Sequence, residues 1–176
     1  TEKEGISYMV MELATGCVLQ LLRNAEERLS KTMLLRMGLS CGAGMAFLAS
    51  SQIVHRDLAA RNLLYFSEGP DSLIVKVSDF GLARSRVPED AQPGAHCNVL
   101  PVRWSPLESI LNRDFAESSD VWSFGVVLWE LFTRGAEPFP GLTTKEIVDL
   151  LNEGRRLEKP TDCPAEVYSL MLHCWD

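Results

Sequence analysis

Paired cysteines are missing from this chain. Its five thiols, Cys17, Cys41, Cys97, Cys163 and Cys174, are odd in number and show no Cys-x-x-Cys pair or zinc-type spacing with histidine. That excludes a disulfide framework or a small zinc module and predicts reduced thiols in a cytosolic setting. An excess of positive charge is missing too. With 17 Lys and Arg against 24 Asp and Glu the net charge is −7, whereas a general nucleic-acid binder needs clustered cations for the phosphate backbone. No nucleic-acid partner is expected. Long hydrophobic runs are also scarce: the longest strongly apolar stretch, residues 121–132, is broken by Ser123 and Glu130 and falls short of the ~20 residues a spanning helix needs. No membrane span is expected, and no signal-peptide pattern is visible. Low-complexity blocks and internal repeats are absent. What remains is an ordinary globular composition, 46% hydrophobic and 23% charged over 176 residues, enough for one real core.

The apolar pattern predicts mixed structure that is mostly helical toward the C-terminus. Residues 6–11 read as a strand and 18–29 as a short helix. Across residues 31–49, Leu34, Met37, Cys41, Met45 and Leu48 recur at steps of three and four, the stripe of one buried helical face. Residues 63–66 and 73–77 read as two short strands joined by a turn over 67–72, rich in Ser, Gly, Pro and Asp. Residues 85–100 lack periodicity and contain Pro88, Pro93 and Gly94, which predicts a functional loop. Beyond it, residues 119–133 are apolar nearly all round and predict a central buried helix. A further helix opens near Thr144, with Thr143 or Thr144 as its cap, and a last one covers 165–175.

Two short motifs carry the chemistry. His55-Arg56-Asp57-Leu58-Ala59-Ala60-Arg61-Asn62 is followed 24 residues later by Asp79-Phe80-Gly81, with the apolar run 73–77 between them. Phosphoryl transfer asks a protein mainly for positioning and charge neutralisation. Asp57 suits a hydroxyl proton acceptor, and Asn62 and Asp79 offer the hard oxygens that Mg²⁺ takes. The predicted hairpin starts at Asn62 and ends at Asp79, so residues 17 apart in sequence can face one ion.

The order and spacing of these motifs resemble the catalytic loop and metal-binding loop of protein kinases. Pro101-Val102-Arg103-Trp104, Glu108, Asp120-Val121-Trp122-Ser123-Phe124-Gly125 and Cys174-Trp175 follow in the same family's order, so the resemblance runs along the whole chain. It implies an α+β, protein-kinase-like fold: a mostly helical C-terminal lobe with a short β-hairpin, its N-terminal lobe largely missing. Residues 1–176 are then a partial protein tyrosine kinase domain, with 1–14 as the last small-lobe strand and hinge and 15–176 as a truncated large lobe. Ala59-Ala60-Arg61 is the loop variant that tyrosine-specific members carry, and residues 101–104 resemble their shelf for a substrate tyrosine ring. A serine/threonine or dual-specificity reading rests only on Ser105-Pro106-Leu107.

The resemblance gives each site residue a role. Asp57, Arg61 and Asn62 are the catalytic set: Asp57 accepts the tyrosine hydroxyl proton, Arg61 contacts the transferred phosphate and the hydroxyl, and Asn62 with Asp79 holds Mg²⁺. ATP is the cofactor. Met9 to Ala14 resembles the strand and hinge beside adenine, with Met11 guarding the back of the pocket, the Glu12 carbonyl and Ala14 amide pairing with the base, Leu13 in the same hinge, and Leu64 as the floor. His55 and Phe80 stack in the architectural column, which keeps His55 from being the proton acceptor, and Asp120 accepts hydrogen bonds from catalytic-loop amides. The partners implied are proteins presenting tyrosine, and the location is cytoplasmic, or the cytoplasmic part of a membrane receptor. The alternative is a truncated or silent kinase fold acting as a protein-binding module.

Departures from the family pattern are specific. Its Ala-Pro-Glu is here Pro106-Leu107-Glu108, about four extra residues separate Asn62 from Asp79, and the chain shows no glycine-rich phosphate loop and no strand lysine. The isolated chain is therefore expected to be inactive. Between Asp79 and Trp104 there is no Tyr or Thr to phosphorylate, so Glu89 or Asp90 is expected to serve as a fixed acidic partner for Arg56 or Arg84.

Overall fold

Leu34, Met37, Cys41 and Leu48 all fall below 7% exposure, and the helix that carries them lines the core. The computed structural model describes residues 2–3, 6–7, 10–24, 29–69, 72–85 and 100–176. Two paired strands, β1 (Glu2–Lys3) and β2 (Ile6–Ser7), come first; then β3 (Gly16–Cys17), α1 (Val18–Asn24), α2 (Lys31–Ser50), β4 (Ile53–Val54), β5 (Leu63–Gly69), β6 (Ser72–Val77) and β7 (Arg84–Ser85). Helices make up the rest: α3 (Leu107–Asn112), α4 (Glu117–Phe132), α5 (Thr144–Asn152) and α6 (Ala165–Cys174).

The central helix is α4, as its all-round apolarity predicts. Val126, Val127, Leu128, Leu131 and Phe132 are buried, and α2 and α6 both pack on it. The approach of α6 is close: a Cβ added to Gly125 would lie 2.6 Å from the Trp175 indole nitrogen, so any larger residue there would force the two segments apart. Ser30 caps α2 by accepting from the Met33 amide at 3.2 Å. Thr143 caps α5 in a capping box: its hydroxyl accepts from the Glu146 amide at 3.3 Å, and the Glu146 carboxylate accepts from the Thr143 amide at 2.8 Å.

Several expectations shift. The strand over 6–11 is only Ile6–Ser7 among the described residues, and Val10 and Met11 have no strand partner; an apolar run becomes a strand only where a ladder accepts its amides. Among the described residues helix α1 covers Val18–Asn24, residues 25–28 of the expected helix lie outside them, and Leu29 is not helical but lies in the lead-in to α2. The hairpin is longer than predicted, since β5 and β6 extend through most of the expected 67–72 turn, with a bulge between Ser67 and Gly69. Helix α3, over Leu107–Asn112, was unforeseen. By length and composition α2 also passes as a membrane-crossing segment, with a mean hydropathy of 1.4 over 18 residues, against the expectation of no such helix. In this structure one face of it packs on α4 and β6.

Candidate active site

Two nested antiparallel pairings build the site. Strand β4 pairs with β7, Val54 opposite Arg84, and inside it β5 pairs with β6, Leu63 opposite Val77. Both chemistry-bearing segments, residues 55–62 and 78–83, lie between these pairings and are thereby brought face to face. The Ser78 amide and hydroxyl both donate to the Asn62 carbonyl, at 2.9 and 2.8 Å, which ties the residue before Asp79 to Asn62 at the base of the hairpin.

Asp57, Arg61 and Asn62 form one cluster. Asn62 donates from Nδ2 to the Asp57 carbonyl at 2.7 Å and to Asp57 Oδ2 at 2.8 Å, while the Arg61 guanidinium pairs with Asp57 Oδ1. The Asn62 amide therefore turns its nitrogen to Asp57 and keeps its oxygen as an acceptor. Arg61 also lies over the Trp104 ring, 4.4 Å from the centroid, a geometry in which the cation meets the ring's negative face. Asp79 adopts a left-handed backbone (φ 61°) and accepts from the Gly81 amide at 3.2 Å. Arg56 is left-handed too, at φ 70°. Strained positions of this kind concentrate at functional sites.

The loop hangs from α4. Asp120 Oδ2 accepts from the His55 amide at 2.7 Å and Oδ1 from the Arg56 amide at 2.9 Å. Burial pushes the Asp120 carboxyl above its ordinary range, while these two amides, His55 and Arg56 pull it back. His55 is fully buried and committed at both ring nitrogens: the Asp57 amide donates to Nδ1 at 3.3 Å, and Nε2 donates to the Ser78 carbonyl at 3.0 Å. Its ring meets Phe80 edge-on with centroids 5.3 Å apart. The expected roles of Asp120, His55 and Phe80 as architecture agree with this geometry. Arg56 spreads over Phe115 at 5.2 Å, and its pKa is lowered by burial and by the nearby Arg84. Glu89 and Asp90, the expected partners of Arg56 or Arg84, lie outside the described residues, as does Cys97.

The adenine-side residues are not gathered with this cluster. Met11 and Leu13 are 74% and 94% exposed, and Glu12 pairs with Lys76 of β6. Leu64 is half-buried in β5, opposite Cys17 and Lys76. Asn62 and Asp79 fit Mg²⁺ by chemistry, one amide oxygen and one carboxylate; this cation takes one or two protein oxygens and fills its shell with phosphate and water. Among the described residues no group of three or more His, Cys, Asp and Glu is clustered for a metal. Sequence reasoning missed Glu130, whose only signal was a lone charge in an apolar helix, and it missed that Asn62 holds Asp57.

The chain belongs to the protein kinases: a family model described as protein tyrosine and serine/threonine kinase matches residues 1–176. Similar proteins include the BDNF/NT-3 growth factors receptor of Gallus gallus, 45% identical over 153 residues, covering 86% of this chain and 18% of that protein. The NT-3 growth factor receptor of Mus musculus is 45% identical over 154 residues, 87% of this chain and 18% of its own. The receptor tyrosine-protein kinase erbB-2 of Mus musculus is 44% identical over 160 residues, 91% of this chain and 12% of its own. The chain spans less than a fifth of the length of these curated relatives.

Proposed function

We propose that these residues serve a protein tyrosine kinase, transferring the γ-phosphoryl group of ATP to tyrosine hydroxyls of proteins. One observation carries this reading: Asn62 donates through its side-chain nitrogen to Asp57, and its backbone carbonyl accepts from Ser78, the residue before Asp79, which supports a proton acceptor and two hard oxygen donors supplied by neighbouring segments. When the tyrosine oxygen bonds to the γ-phosphorus, the bond to the β–γ bridging oxygen breaks and the hydroxyl proton passes to Asp57. Asn62 and Asp79 would hold Mg²⁺, which neutralises phosphate charge when bound. Arg61, paired with Asp57 and stacked on Trp104, orients the base and adds positive charge beside the transferred group. Residues 1–14 read as strand and hinge, with Met11, Glu12, Leu13, Ala14 and Leu64 toward adenine, and 15–176 as large lobe. The setting is cytoplasmic, including the cytoplasmic part of a membrane receptor.

Substitutions in the full-length natural protein separate base from metal ligand. Asp57→Asn should lower turnover about 10²–10⁴-fold and leave nucleotide affinity nearly intact. Asp79→Ala should instead abolish Mg²⁺-dependent nucleotide binding. Turnover and nucleotide affinity measured separately decide it; unchanged turnover in Asp57→Asn removes the base assignment, and a wild-type protein that binds partners without phosphorylating tyrosine makes the fold a binding module.

A further inference from the structure

Glu130 is 1% exposed, on a helix whose flanking residues Val126, Val127 and Leu131 are apolar and buried. A carboxylate in such a place costs several kcal/mol unless it is fully partnered, and an apolar residue of similar size would serve packing better. Its partners are two donors that meet on one oxygen: the Ala60 amide and the Trp104 indole Nε1–H, each 2.9 Å from Oε2. Neither donor is incidental. Ala60 opens the 3₁₀ turn Ala60–Asn62, which carries Arg61 and Asn62. Trp104 presents the ring on which Arg61 lies, and Arg61 in turn pairs with Asp57.

We propose that Glu130 is a positioning residue: a single acceptor oxygen on the central helix fixes the catalytic turn through Ala60 and, through the Trp104 ring, sets Arg61 against Asp57. The inference rests on the kinase reading for its catalytic consequence but not for its geometry. The acceptor does the work and not the charge, because both donors use the same oxygen, and a protonated carboxyl or a carboxamide still offers one. The surroundings agree. Arg61 and Arg23 are the cations that face Glu130, Cys41 of α2 faces it with a thiol pushed up to about 12, and burial raises the Glu130 carboxyl itself to about 7. The fold thus keeps this group where either protonation state must serve.

Three variants of the full-length natural protein test the proposal: E130L, E130Q and W104F. A shift of about 1 Å in a positioned group can cost on the order of 10²-fold, so E130L should lose about 10–100-fold in kcat while KM for ATP changes by less than about 3-fold. E130Q should recover most of that turnover. W104F keeps an aromatic face for Arg61 but removes the N–H donor together with the five-membered ring; it should lower kcat in the same direction, and it carries the test if E130L does not fold. In the double variant E130L/W104F the losses should not add. Hydrogen exchange of the Trp104 indole N–H, resolved by comparison with W104F, provides a readout independent of catalysis: protected in wild type and E130Q, unprotected in E130L. Wild-type kcat in E130L or W104F, E130Q as slow as E130L, or equal indole protection in all forms overturns the proposal. A wild-type protein without kinase activity would overturn the functional reading alone, since the exchange result would still decide the role of Glu130.

Discussion

Residues 55–62 and residues 10–14 belong to the same expected site and are held in opposite ways. The first segment is fixed by buried groups from far along the chain: Asp120 takes two of its amides and Glu130 a third, and His55 is saturated by Asp57 and Ser78. The second is tied by the exposed Glu12–Lys76 ion pair at its middle and, just beyond it, by Thr15, whose amide donates to the Tyr65 carbonyl at 3.0 Å. Buried acceptors aimed at backbone donors impose a geometry, because leaving either side unpaired is costly. An exposed ion pair imposes little. The segment that holds Asp57, Arg61 and Asn62 is the one α4 controls.

Removing the control should show first. Asp120→Ala orphans the His55 and Arg56 amides beneath the loop, which should cost about 2–4 kcal/mol of unfolding free energy and raise hydrogen exchange at those two amides well before any change in α2. A loop that stays protected would mean that the β4–β7 pairing, and not α4, holds it.

Next comes the pH response of Glu130. Unfolded, this carboxyl titrates near 4.5, and folded at about 7. Between those values the folded state holds the extra proton, so this group's contribution to stability grows as pH falls from 7 toward 4.5 and is lost as pH rises through 7. Glu130→Gln keeps the acceptor and cannot ionise. The difference in unfolding free energy between wild type and Glu130→Gln should therefore swing by up to about 3 kcal/mol between pH 8 and pH 4.5 in denaturant titrations, with the variant gaining at high pH. A pH-independent difference would show that the carboxyl is not raised.

Smallest of all should be the effect of cutting the exposed tie. Glu12→Ala removes an ion pair whose side chains are 60% and 49% exposed and should change stability by less than about 1 kcal/mol, shrinking further in salt. A larger loss in thermal unfolding would contradict the contrast drawn between the two segments.

Much of the chain was legible because its signals are local. The stripe through Leu34, Met37, Cys41 and Leu48 marks α2, the run around Val126 to Phe132 marks α4, and Thr143 with Glu146 marks the start of α5. Asp57, Asn62 and Asp79 were named together by spacing and residue chemistry, and the structure shows Asn62 bonded to Asp57. Other features were not. The 6–11 run has strand composition, yet Val10 and Met11 have no ladder partner among the described residues, and α3 lacks a strong periodic signature in six residues. Asn62 binding Asp57 could not be read, because an amide's two ends suit either role.

Glu130 shows where the boundary lies. By itself the sequence determined where α2, α4, α5 and α6 lie and which face of α2 is buried, since periodicity, capping and residue type act over a few neighbours. Only the tertiary structure decided that one oxygen of Glu130 serves both Ala60 and Trp104, that Asp120 takes the His55 and Arg56 amides, and that Arg61 lies between Asp57 and an indole ring. Hydrogen bonds and stacking depend on distances of a few ångströms between residues far apart in the chain, and it is the packing of α4 against the loop that sets those distances.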